Sequence, residues 1–131
     1  MKSIVWTLAL CIPLTLLAGA LHAADRRAQA ALKKMDPESR LTQVCDLEAM
    51  NRIARDGTPH RPDRAMVDQL GEPKRNGHSL RGTGGAFRSK GEWYRFSFSC
   101  DAASDHMSVL SFEYKIGNKV ERKEWATLGL F

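Results

Sequence analysis

The sequence lacks the residue spacings that mark most small metal-binding and catalytic domains. Its 131 residues contain no Cys-x-x-Cys and no His-x-x-x-His pair, which argues against a zinc site of the usual kind. The glycine-rich stretch "GTGGAFRSKG", residues 82–91, lacks the G-x-x-x-x-G-K-[ST] order of a phosphate loop. There is no G-x-S-x-G elbow with histidine and carboxylate in triad order. No internal repeat is present. No apolar run reaches the ~20 residues that a membrane-spanning helix needs. These absences point to no catalytic residue, no metal and no cofactor.

Cysteine is also scarce, at three residues, and the N-terminus decides how many of them matter. "MKSIVWTLALCIPLTLLAGALHA" has one cation, Lys2, then an apolar run over residues 4–17, then small residues. This is the layout of a secretory signal peptide, and Cys11 leaves with it. A lipoprotein attachment at Cys11 is disfavoured, because Leu10 stands where a small residue is required. Cleavage is expected after Ala23, with Ala20 as the alternative. The expected organisation is a signal peptide over 1–23, a helical leader or arm over 24–35, and one domain over 36–131. The mature protein is then periplasmic, with no transmembrane anchor.

Cys45 and Cys100 remain. An even pair in an oxidising compartment reads as a disulfide. No histidine lies near either cysteine in sequence to activate a thiol. The loop between them is long, and the chain-entropy account assigns such a bridge about 4 kcal/mol.

Loss of Lys2 lowers the formal charge from +5 to +4, an excess carried mainly by arginine. In the cytoplasm such a domain would suggest nucleic acid. Outside it, the anions on offer are acidic glycans, lipid headgroups or envelope proteins, and nucleic acid is not an expected partner. A solvated basic surface with no partner at all is the plainer alternative.

The pattern of elements is α then β. Asp36 suits a helix N-cap, Pro37 the first turn and Gly57 the stop. Leu41, Cys45, Ala49 and Ile53 follow at i+4 spacing, with Val44 beside them, which puts Cys45 on the apolar stripe. A first strand is expected over residues 65–70, a turn over 71–77 with a hairpin signal at Asn76 and Gly77, and a short or bulged strand in the glycine-rich stretch. In "EWYRFSFSC", Tyr94, Phe96, Phe98 and Cys100 alternate with Trp93, Arg95, Ser97 and Ser99. In "MSVLSFEYKIG", Leu110, Phe112, Tyr114 and Ile116 alternate with Val109, Ser111, Glu113 and Lys115. Period-two alternation predicts antiparallel strands with one buried face. Trp125 and Leu128 are expected in a short amphipathic turn at the sheet's edge. The fold class is therefore α+β: one long helix on an antiparallel sheet of about four strands, pinned by a Cys45–Cys100 bridge between helix and sheet. Leu41, Val44, Ile53, Phe96, Phe98, Leu110 and Phe112 are the expected core.

The segments "MDPESRLTQVCDLEAM", "RPDR", "GAFRSKGEWYRFSFSC", "DHMSVLSFEYKIG" and the terminal "EW" together resemble a family of exported bacterial proteins known as domain of unknown function 930. The resemblance covers the chain from about Met35 onward and implies a periplasmic or envelope setting. It implies no activity, cofactor or catalytic residue.

Two function classes follow. The first is a non-catalytic envelope module that binds an anionic glycan, a lipid headgroup or an envelope protein. Its candidate residues are Arg61, Arg64, Arg88, Trp93 and Arg95, because guanidinium groups beside an aromatic ring suit acidic oxygens and sugar faces. Against this stands a structural reading in which Arg95 pairs with Glu113 and Trp93 packs under the C-terminal segment. The second class is a small periplasmic hydrolase using His60 or loop carboxylates. His60 with Asp63 and Asp105 with His106 are its only nearby pairs, and Asp46 and Glu48 point in different directions on one helix.

Overall fold

The computed structural model describes residues 15–131. Lys2, Cys11 and most of the expected apolar run of the signal peptide lie outside the described residues. The described residues form three helices: α1 (Thr15–Lys34), α2 (Pro37–Arg55) and the single turn α3 (Arg122–Trp125). The described residues also form five strands: β1 (Pro62–Met66), β2 (Lys74–Asn76), β3 (Ser79–Ser89), β4 (Glu92–Ala102) and β5 (Val109–Lys119). Among the described residues, no helix is long and apolar enough to cross a membrane.

The expected single long helix is two. The residue before a proline is disfavoured in helical backbone, so the chain breaks ahead of Pro37. Asp36 then caps α2 by accepting a hydrogen bond from Ser39 N at 3.0 Å. Gly57, at φ +75°, ends the helix by adopting a conformation that a side chain would strain. The end of α1 is held by one residue of α2. Arg40 donates to the carbonyls of Leu32, Met35 and Lys33 at 2.8, 2.8 and 3.2 Å. Carbonyls at a helix end lack intrahelical donors, and a guanidinium fork supplies several at once, while Leu32 O also accepts from Met35 N at 3.1 Å. Arg40 also reaches Asp105 O at 3.0 Å, tying both helices to the β4–β5 loop.

The sheet is antiparallel, in the order β1-β3-β4-β5, with β2 also paired to β3. β1 lies beside residues 86–89 of β3, and β2 beside residues 79–81. The glycine-rich stretch is therefore a full central strand, bulged between Gly82 and Gly85. Its glycines are needed for space. A Cβ on Gly85 would meet the Phe96 ring at 2.7 Å, and one on Gly84 would meet the backbone of Gly71 at 2.5 Å. The first strand starts earlier than expected, at Pro62, because proline is tolerated at the first residue of an edge strand. The turn expected over residues 71–77 contains β2, and Gly77 at φ +58° makes the tight hairpin into β3.

α2 crosses the inner sheet face. Leu41, Val44, Cys45, Ala49 and Ile53 meet Leu80, Phe87, Phe96, Phe98, Cys100 and Phe112 in one cluster. Leu110, expected in that core, is 74 % exposed. Asp101 pairs with Ser111 and Ala102 with Val109, so Leu110 is the extra residue of a bulge. The alternation slips there, and Val109 packs inward in its place. The Cys45–Cys100 disulfide joins α2 to β4 with Cα atoms 6.1 Å apart, and both residues are wholly buried.

A second, smaller cluster covers part of the opposite face. Ala86, Trp93, Val120 and Leu130 are buried there, with Met66, Leu70, Trp125 and Leu128 packed around them. The C-terminal turn thus lies across the sheet's outer face rather than along its edge.

Candidate binding surfaces

The five residues expected to bind a ligand divide sharply in their surroundings. Trp93 does lie on the face opposite α2, but it is 1 % exposed and offers no free ring to stack on. Its indole Nε1 donates to Phe131 O at 3.3 Å. Arg88 is engaged twice over. It holds the Asp63 carboxylate in a fork, Nε to Oδ1 at 3.0 Å and Nη2 to Oδ2 at 2.9 Å, and donates from Nη1 to Phe131 O at 2.9 Å. That fork holds the Asp63 carboxyl below its ordinary range. The Arg88 guanidinium also stands 5.8 Å from the centre of the Trp93 ring, and Arg64 stands 5.4 Å from that of Phe131. Arg95 reaches Glu124 of α3 at 3.5 Å, rather than Glu113 across the hairpin. Arg61 donates to the carbonyls of Thr58 and His60. The structure therefore brings Arg64, Arg88 and Trp93 together around Phe131, with Arg61 and Arg95 tied to other partners.

The outer face has a second, uncovered half. Beyond the C-terminal segment a groove of about 640 Å³ crosses β2, β3, β4 and β5. Its residues follow from register. Lys74 faces Arg81, Arg81 faces Ser99, and Ser99 faces Glu113. One step along β4, Ser97 faces Lys115. Ser97 and Ser99 line the groove because Phe96, Phe98 and Cys100 take the inward positions of β4. Three cations (Lys74, Arg81 and Lys115) and two anions (Glu72 and Glu113) line it, an excess of one positive charge. Arg81 makes one long contact with Asp101 at 3.5 Å, with the arginine 64 % exposed. At that exposure an ion pair holds the side chain weakly. This groove was missed in the sequence because its basic residues lie on three strands at wide separations.

The proposed acid–base pairs do not form. His60 packs its ring on Tyr94 and Phe87, at 4.5 and 5.1 Å between centres, while Asp63 goes to Arg88. Asp105 uses Oδ1 to accept from Met107 N. His106 instead meets His78: the two rings approach at 2.9 Å between Nε2 and Nδ1, and His106 Nδ1 lies 2.7 Å from Pro37 O. A carbonyl only accepts, so His106 carries its proton on Nδ1. One proton then bridges the two rings. Sequence separation hid this pair as well. Asp46 sits apart from Glu48 and accepts from Val67 N at 2.7 Å. Burial, helped by the charge of Asp68, pushes its carboxyl up to about 7.

The family named Domain of Unknown Function (DUF930) matches residues 32–130. The chain belongs to the DUF930 family. No curated protein and no solved structure matches it. The matched stretch starts at Leu32, a buried residue of α1 whose carbonyl Arg40 holds, and runs to Leu130 in the outer-face cluster. The open groove lies wholly within the family's span, and the surface around Trp93 lies within it except for Phe131. Among its described residues there is no group of three or more histidine, cysteine, aspartate or glutamate side chains able to hold a metal.

Proposed function

We propose that this DUF930 protein is a non-catalytic module of the bacterial cell envelope, exported to the periplasm, that binds an anionic envelope component through the open half of its outer sheet face. The single observation that carries the reading is the groove in which Lys74, Arg81 and Lys115 flank the hydroxyls of Ser97, Ser99 and Thr83. Neither Lys74 nor Lys115 has an ion-pair partner among the described residues, so both ammonium groups are available to acidic oxygens. The hydroxyls add donors and acceptors between the cations. The export reading rests on the charged, apolar and small-residue order of the first 23 positions.

Binding of this kind weakens as salt rises, because exposed charges are screened beyond about 8 Å at physiological ionic strength. The test is retention on an acidic polysaccharide and on vesicles containing an anionic lipid, at low and high salt. The triple variant Lys74→Glu, Arg81→Glu, Lys115→Glu is expected to lose retention at low salt while keeping its melting midpoint. Equal retention of variant and wild type would remove the groove as the site.

A further inference from the structure

The C-terminal segment is held in the way a bound peptide is held. Gln69 donates from Nε2 to the carbonyl of Leu128 at 2.8 Å, with Gly129 O at 3.4 Å. Trp93 and Arg88 converge on the carbonyl of Phe131. Leu130, between these anchor points, is 4 % exposed and fills the space beside Ala86, Trp93 and Val120. The Phe131 ring lies against Arg64 yet is 75 % exposed. The donors come from the loop after β1, from β3 and from β4. They read the main chain of the segment at both ends, and an apolar recess reads the one side chain between. Main-chain bonds for affinity and a recess for side-chain choice are the general means of recognising an extended peptide.

We infer that Gln69, Arg88 and Trp93, with Arg64, form a peptide-binding cradle that residues 128–131 of the chain occupy in cis. Its ligand class is a short segment placing an aliphatic side chain between two free carbonyls and an aromatic residue after it. A ligand ending in a carboxylate at the Phe131 position binds more tightly, because Arg88 and Trp93 then donate to a charged acceptor. The site is separate from the open groove, and the two are tested independently.

Gly129 provides the means of opening it. Its φ of +67° strains any side chain, and a Cβ would stand 3.1 Å from Gln69 Nε2. The full-length Gly129→Val variant is expected to loosen the segment, chiefly through the strained backbone, and leaves every cradle residue intact. Leu130→Asp is a second route, since it places a charge in the apolar recess. The probe is a fluorescein-labelled hexapeptide, Ala-Thr-Leu-Gly-Leu-Phe, as free acid and as amide, followed by polarisation. Exchange of the Leu130 amide, which donates to Trp125 O at 2.8 Å, reports release of the segment. Release and saturable binding are expected in both variants but not in wild type, with the free acid about tenfold tighter than the amide. Adding Arg88→Ala to Gly129→Val should weaken binding at least tenfold. Release without peptide binding overturns the inference. So does retention of the segment in both variants, which would make it a fixed part of the fold.

Discussion

Cys45 of α2 and Cys100 of β4 face each other through the middle of the core, 55 positions apart in sequence and both wholly buried. The bridge fixes the crossing of the helix on the sheet at its centre. Replacing both cysteines with alanine is expected to lower stability by about 2–4 kcal/mol, mostly by freeing the unfolded chain. Chemical denaturation of the double variant checks this. Thiol labelling of the denatured, unreduced wild-type protein, after signal removal, should find no free thiol. Full labelling of both cysteines would contradict the pairing.

The phenylalanine and leucine positions in β4 and β5 separate two kinds of apolar residue. Phe98 is 6 % exposed, stacked near Phe112 with ring centres 6.3 Å apart. Phe98→Ala should cost about 3–5 kcal/mol. Leu110→Ala, on the exposed bulge, should change stability by less than about 0.5 kcal/mol. A Leu110→Ala loss as large as that of Phe98→Ala would place the bulge elsewhere.

Asp46 gives the protein a pH dependence of definite sign. Its folded carboxyl titrates near 7, above the ~3.9 of an unfolded aspartate. Between those values the unfolded chain has released a proton that the folded chain still holds. Stability is therefore full below about pH 4 and declines as pH rises toward 7. Asp46→Asn keeps an acceptor for Val67 N and removes the titration. It should raise stability at pH 8 by about 1–3 kcal/mol and flatten the profile between pH 4 and 7. Thermal melts across that range decide the matter. A variant that follows the wild-type slope would assign the slope to another group.

Export is tested by the first residues of the protein recovered from the periplasmic fraction. Sequencing should begin at Ala24, or at Leu21 for the alternative cut. An intact Met1 on the recovered protein would defeat the proposal.

Local patterns carried most of the fold. The cap at Asp36, the stop at Gly57 and the i+4 stripe around Cys45 are short-range signals, and α2 follows them closely. Alternation in β4 placed Phe96, Phe98 and Cys100 inward without error. What escaped was non-local or depended on a one-residue insertion. The bulge at Leu110 reversed part of β5, since period two offers no protection against a slip. β3 read as weak because its glycines serve neighbours distant in sequence, Gly71 and Phe96. Of the five residues expected to bind a ligand, Arg64, Arg88 and Trp93 are gathered around Phe131, and Arg61 and Arg95 are not. The alternative in which Trp93 packs under the C-terminal segment is the one the structure shows, although the bonds that Gln69 and Arg88 make to that segment were not legible. The groove around Ser97 and Ser99 was out of reach, because only register assembles it.

Among the described residues, the sheet's arrangement leaves β5 as the outermost strand along one side, eleven residues long and with no strand paired to its far edge. Such an edge invites another chain to continue the sheet. In this protein the strand kinks where it is irregular against Tyr94–Phe96 and again at Leu110. Glu113, Lys115 and Lys119 are exposed along it, and Gly117 interrupts its row of side chains. Charge and broken register together make it a poor template for edge-to-edge growth. Straightening that strand, by deleting the bulged Leu110 and replacing Lys115 with valine, would turn a poor template into one prone to join further strands into fibres.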